Sequence, residues 1–308
     1  ISGEFLHNRI GKVWKAVKHD LESIVKQIEH LPMPKVAALQ VIRLCSDEHS
    51  NASQIATAIS GDQTLTTEVL RIANSSYFNY PREIANIQRA IVILGLNLIR
   101  DIAVSFAFRH YYKQFTGRLA IDFQTAWEHA VLTGAICRSL SGKFSLNIAD
   151  TLFVGGLIHD IGKVALSVAI GKEYQELAQF AAKNNTHLFL LEQEKWGFNH
   201  GDVGGILIDR WQFPQILVNM ITYHHYPADF SGSADVYRGI QVIYLSNLLA
   251  HCLRQESINL EAIIRLDANF TQLFPVNERE FEELVGGVKH ALKNDRQLAA
   301  MGMTAYAG

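Results

Sequence analysis

Cysteine is nearly missing from this chain. Cys45, Cys137 and Cys252 are the only three in 308 residues. They are isolated, odd in number and without Cys-x-x-Cys spacing, which argues against a disulfide framework and for reduced, buried thiols. Proline is scarce too, at six, and several prolines sit beside segment starts. Charged residues make up only 19%, with a formal net charge of -2. No clustered excess of Lys and Arg offers a footprint for nucleic acid, so no nucleic-acid role is assigned. No apolar run approaches the ~18 residues that a membrane span needs, and no secretory leader precedes the fold. A cytoplasmic protein with no membrane role is therefore expected. Low-complexity segments and fixed-period repeats are absent as well.

What remains is helical periodicity. With 48% hydrophobic residues in 308, the chain is long enough for one large helical core or two smaller ones, and an all-α fold is expected. Asn51, followed three residues later by Gln54, has the form of a capping box ahead of Ile55 and Ile59. Phe213-Pro214 opens a helix on which Leu217, Met220, Ile221 and His224 share one face. Phe281, Leu284, Val285, Val288 and Leu292 form another apolar face, with Lys289, Lys293 and Arg296 opposite. Core is the expected role of that face, ahead of a dimer interface. The Gly117 region, after the aromatics Phe106, Phe108, Tyr111 and Tyr112, is the best boundary. It divides an N-terminal helical lobe (6–115) from a second lobe (116–255), and 256–308 form a C-terminal helical extension. The chain opens on Ile1 rather than methionine, so residues 1–5 carry no fold expectation.

The chemistry lies in His159 and Asp160, within Gly155-Gly156-Leu157-Ile158-His159-Asp160-Ile161-Gly162-Lys163, and in His129, His200, His224 and His225. Imidazoles with one carboxylate are the ligand set of Fe, Mn, Ni, Co or Zn, and water bound to such an ion is a hydrolytic nucleophile at neutral pH. Neighbours on a helix point about 100° apart, so His159 and Asp160 can share an ion only at a helix edge, with another helix completing the set. His129 is placed to do this, on a segment where Trp127, Val131, Leu132, Ala135, Ile136 and Leu140 recur at helical spacing. The next segment opens at Asp150, read as an N-cap. Gly155 and Gly156 would admit a close neighbour.

His129 followed by His159-Asp160-Ile161-Gly162-Lys163 resembles the HD superfamily of metal-dependent phosphohydrolases. The N-terminal half carries Leu31-Pro32-Met33-Pro34, Ile59-Ser60-Gly61-Asp62-Gln63-Thr64-Leu65, Leu70 through Tyr77, and Ala90 through Gly95. These stretches make the chain resemble, more narrowly, the HDOD family of HD-related output domains, over roughly residues 28 to 255, although that family usually has proline where Gln63 stands. The resemblance implies an HD-type helical core with an added N-terminal helical lobe. It also implies His200, at a helix start, and the pair His224 and His225 as further ligands for a site of two ions. Read without it, each of these three is more often a hydrogen-bonded core or cap histidine than a ligand.

Two departures weigh against catalysis. Asn247 stands where the superfamily's last aspartate ligand is expected and brings no negative charge, which disfavours Mg²⁺ and leaves Fe, Mn, Ni or Zn. After His225 the chain reads Tyr226-Pro227-Ala228-Asp229, so the Glu and Gly-Tyr-Pro turn of cyclic-dinucleotide phosphodiesterases are missing. Lys163 is retained; by resemblance it holds a phosphate oxygen and, with Asp160, forms the catalytic pair of an active enzyme, while a solvated helix-end lysine is the plain alternative. The preferred expectation is a regulatory HDOD module, weakly or non-catalytic, with a partly degenerate metal site and a protein partner in a signalling pathway. An active phosphohydrolase acting on a nucleotide or cyclic dinucleotide, and a helical scaffold with no ligand, are the alternatives.

Overall fold

The computed structural model describes residues 19–298 apart from 46, 48, 77, 79, 145–147, 185, 255–257, 296 and 297. Ile1–Phe5, Tyr77 and Arg296, together with the side chains of Cys45 and Asp150, lie outside the described residues.

The described residues contain helices and no strands. An N-terminal group comprises α1 (Leu21–Ile28), α2 (Val36–Cys45), α3 (Ala52–Ser60), α4 (Gln63–Ala73), α5 (Ile87–Leu94) and the long α6 (Leu96–Lys113). The start signals read from sequence are the ones used. Asn51 accepts from the Ser53 and Gln54 backbone N–H groups, and Gln54 returns a bond to Asn51, completing the capping box. Asp62 caps α4 through Leu65.

The second group begins after the Gly117 turn, at a left-handed φ of 85°. It comprises α7 (Phe123–Lys143), α8 (Ala149–Ile158), α9 (Ile161–Lys183), α10 (Leu188–Trp196), α11 (His200–Arg210), α12 (Gln215–Tyr223) and α13 (Ala234–Arg254). Three further helices follow: α14 (Leu260–Leu266), α15 (Phe270–Leu273) and α16 (Glu278–Lys293). The α16 face read from sequence is core: Phe281, Leu284, Val285, Val288 and Leu292 are all buried, and the helix packs on α7. Cys137 and Cys252 are buried free thiols.

The two groups share one continuous apolar core. α1 packs against α9 and α11, and α6 packs against α7 and α8. A buried polar tie reinforces the second contact. Arg100 on α6 donates to Asp101 at 2.8 Å, and Arg138 on α7 donates to the other Asp101 oxygen at 2.7 Å.

Two sequence expectations need correction. α8 opens at Ala149 with Ile148 in the cap position and no side-chain cap bond, rather than at an Asp150 cap. The segment Thr151–Lys183 does contain an 18-residue window apolar enough, at mean hydropathy 1.5, to cross a membrane by length and composition. That window is 72% buried inside the protein. α8 and the start of α9 are apolar all round because other helices surround them, and the polarity they lack is the mark of a central position.

Close backbone approach positions these central helices. A Cβ on Gly156 would lie 2.8 Å from Gly134 Cα on α7, and one on Gly162 would lie 1.8 Å from the His200 carbonyl oxygen. Gly162 is thus the contact that brings the start of α9 onto the start of α11. Gly162→Ala should cost about 3 kcal/mol or more, because the obstruction is backbone and cannot rotate away. Urea denaturation of the two proteins measures it.

A buried histidine and aspartate centre

His159 and Asp160 do not lie within a helix. His159 is the last cap of α8 and Asp160 the first cap of α9. The two-residue junction between the helices therefore settles how neighbouring side chains reach one centre, in place of the helix-edge placement expected from sequence. His129 comes from α7, His200 from the first turn of α11, and His224 and His225 follow the end of α12. Asn247 comes from α13.

The five histidines converge on Asp160. Its Oδ1 lies 3.1 Å from His200 Nε2 and 3.9 Å from His224 Nε2. Its Oδ2 lies 3.4 Å from His159 Nε2, 3.8 Å from His129 Nε2 and 2.7 Å from Lys163 Nζ. His225 Nε2 faces His200 Nε2 at 2.8 Å, and Asn247 Oδ1 lies 2.9 Å from His129 Nε2. Two groups of donor atoms result, each within 4.8 Å: Asp160, His200, His224 and His225, and His129, His159 and Asp160. Asp160 belongs to both.

The rings are aimed by their other nitrogens. His159 Nδ1 donates to the Gly156 carbonyl at 2.8 Å, and His224 Nδ1 to the Ile221 carbonyl at 2.6 Å, each three residues back on its own helix. Such bonds fix the tautomer with a lone pair on Nε2, the arrangement of a metal-ligating histidine. His200 opens its helix and is held instead by Glu192, which accepts from both the His200 backbone N–H at 2.8 Å and Nδ1 at 2.7 Å. The Tyr174 hydroxyl donates to the remaining Glu192 oxygen at 2.6 Å. His225 stacks on Phe189, with ring centres 4.0 Å apart.

The donor set fits a divalent transition ion. Bonds of about 2.1 Å in a tetrahedron separate donors by about 3.4 Å, and the spacings around Asp160 fall on either side of that value. His159 Nε2, His224 Nε2, His129 Nδ1 and Asp160 Oδ1 are buried without hydrogen-bond partners. Orphaned acceptors in this number cost stability, and a cation answers those aimed inward. An ion bound there would act as a Lewis acid and would lower the pKa of a bound water.

Electrostatics keep most of the donors in their binding forms. Burial raises the Asp160 pKa, but His159, Lys163 and His200 outweigh it and hold the carboxyl well below its ordinary range. Burial drives His129, His224 and His225 well below the usual imidazole value, and His159 below it. His200 moves the other way: burial pushes it down, while Glu192 and Asp160 pull it up by more.

Three participants were not anticipated from the sequence. Glu192 is completely buried, yet in Leu191-Glu192-Gln193-Glu194-Lys195 it reads as one of several surface charges. Tyr174 reads as ordinary core. His251 lies one turn beyond Asn247 on α13, with its ring centre 4.4 Å from that of His129, and burial with Lys163 nearby pushes its pKa down to about 3. Its i, i+4 spacing from Asn247 was the one available clue.

The chain matches the HDOD domain over residues 31–227. It belongs to the HDOD family. An HDOD domain protein of unknown function from Geobacter sulfurreducens superposes with a TM-score of 0.72 at 19% identity, over 92% of this chain and 99% of that one. A candidate phosphohydrolase from Shewanella amazonensis SB2B superposes at 0.67 with 20% identity, over 94% and 99%. At these identities the likeness is one of fold. An uncharacterized protein of Treponema pallidum is 25% identical over 206 residues, covering 66% of this chain and 39% of its own length. The chain therefore spans about two fifths of that curated relative.

The depressed histidines set a pH dependence. The unfolded chain takes up protons near the ordinary imidazole value of about 6.5, while the folded centre refuses them until lower pH. Stability from these groups is thus present above about pH 6.5 and lost as pH falls toward their folded values, at up to about 1.4 kcal/mol per pH unit for each proton. The raised His200 opposes this trend at higher pH. The urea midpoint of chelator-treated protein should therefore fall between pH 7 and 5, and His224→Asn should make the fall shallower.

Proposed function

We propose that this chain is a regulatory HDOD module, cytoplasmic and without turnover, in which a divalent transition ion at the histidine and aspartate centre ties helices together while other surfaces engage a protein partner in signalling. The closure of the centre carries this reading. His159 and His224 are 0% exposed and His200 is 1% exposed. The cavity reaching Asp160 and Lys163 has a volume of about 90 Å³ and is walled by Leu119, Ile121, Ala126 and Val164 among others. Sites for small-molecule ligands run to about 300–1,000 Å³, several times the volume of this cavity.

Three features support the same reading. Asn247 gives the centre an amide oxygen where a carboxylate would add charge. The segment after His225 forms a short 3-10 turn at Pro227–Asp229 in place of a Gly-Tyr-Pro turn. Lys163 is paired with Asp160 at 2.7 Å, which leaves it engaged within the centre. The ion would join α11 to the α8–α9 and post-α12 junctions, so its binding energy adds to folding energy.

Protein purified without chelator should carry a transition metal by mass spectrometry. Stripping the metal should lower the melting temperature by about 4 °C if the ion is present at about 100 times its dissociation constant. Hydrolysis of cyclic dinucleotides in Fe²⁺ or Mn²⁺ should stay at background. Turnover that is abolished by His159→Ala would overturn the non-catalytic reading, and metal-free protein with an unchanged melting temperature would overturn the role of the ion.

A further inference from the structure

We propose that the centre takes one divalent cation rather than two, held on the Oδ1 side of Asp160 by His200, His224 and His225, with Glu192 as its buried counter-charge. On the Oδ2 side the ammonium of Lys163 occupies the electrostatic place of a second ion. The inference rests on the reading of the centre as a cation site, and it decides which half of that site is used.

The halves differ in charge, not in reach. On the Oδ2 side, His129 and His159 bring their nitrogens to 3.8 and 3.4 Å of the carboxylate oxygen. That oxygen already accepts from Lys163 Nζ at 2.7 Å, and the amide of Asn247 supplies no compensating charge. A dication arriving here meets a positive group in contact with its only anionic ligand. Like charges sharing one carboxylate oxygen in a buried setting repel strongly, because little water screens them.

The Oδ1 side is the reverse. Asp160 Oδ1 and His224 Nε2 are buried with no hydrogen-bond partner, and His200 and His225 bring their Nε2 atoms to 2.8 Å of each other. Two imidazole nitrogens at that distance either share one proton or face a common cation. Glu192 then does two things. By accepting from His200 Nδ1 at 2.7 Å it keeps the lone pair on Nε2, and it brings a second negative charge to this half. His159 and His224 use backbone carbonyls of their own helices for orientation. His200, in the first turn of α11, has no such carbonyl behind it, so a side chain from α10 must serve. Glu192 is a positioning residue for His200, and its charge offsets the one that Asn247 omits.

Full-length protein, stripped with chelator, is titrated with Co²⁺; binding is followed by visible absorption, and stoichiometry by mass spectrometry after desalting. The wild type should saturate at one ion per chain. Glu192→Gln, which keeps the shape, should weaken Co²⁺ binding by about 10–100-fold. His225→Ala should weaken it at least ten times more than His129→Ala. The double variant Lys163→Ala, Asn247→Asp should gain a second ion, a change that general loss of structure cannot produce. Two wild-type ions of comparable affinity, or a larger loss in His129→Ala than in His225→Ala, would overturn the inference while leaving the cation reading intact. A double variant that still takes one ion would overturn the role given to Lys163. No Co²⁺ binding at all would sink both readings.

Discussion

A carboxylate is held away from water where several helices meet, and α7, α8, α9, α11 and α12 bring the groups that accommodate it. Asp160 is 9% exposed, and an isolated ionised carboxylate at such a depth would take a proton instead of staying charged. Here it stays charged because every neighbour is turned toward it: Lys163 and His159 on one oxygen, His200 and His224 on the other. Each of those neighbours is in turn buried and needs an orientation of its own. The Gly156 and Ile221 carbonyls and Glu192 supply it.

The same constraint explains the backbone. Imidazoles from α7, α11 and the end of α12 can reach one aspartate only if the helices approach more closely than ordinary side chains allow. Gly134 against Gly156, and Gly162 against His200, remove the Cβ atoms that would keep them apart. A catalytic centre built in this way would still need an opening for substrate. A small cavity lined by Asp160, Lys163 and His251 reaches the centre.

Much of the fold was legible in the chain. The capping box at Asn51, the apolar face of α16 and the helix leading to His224 all follow from local rules, because cap bonds and helical periodicity depend on residues three or four positions apart. The expectation that no stretch is apolar enough to cross a membrane failed at Thr151–Lys183 for a related reason. Local hydropathy cannot distinguish a helix surrounded by protein from one surrounded by lipid. The position of His159 and Asp160 was also misread, because their motif looks continuous with the helices on both sides and only the packing of α9 on α11 shows the junction.

The sequence by itself determined the donor chemistry: which imidazoles are present, that one carboxylate follows one of them directly, and that position 247 is an amide. It also determined the helical class, since the spacing of apolar residues fixes which face of each helix must be covered. Tertiary structure alone decided the rest. Glu192 and His251 joined the centre because of where α10 and α13 pack, and no short-range pattern marks a residue whose partner is distant or on another helix. Which oxygen of Asp160 meets Lys163, and which meets His200, is likewise fixed only in three dimensions. That choice makes the two halves of the centre electrostatically unequal.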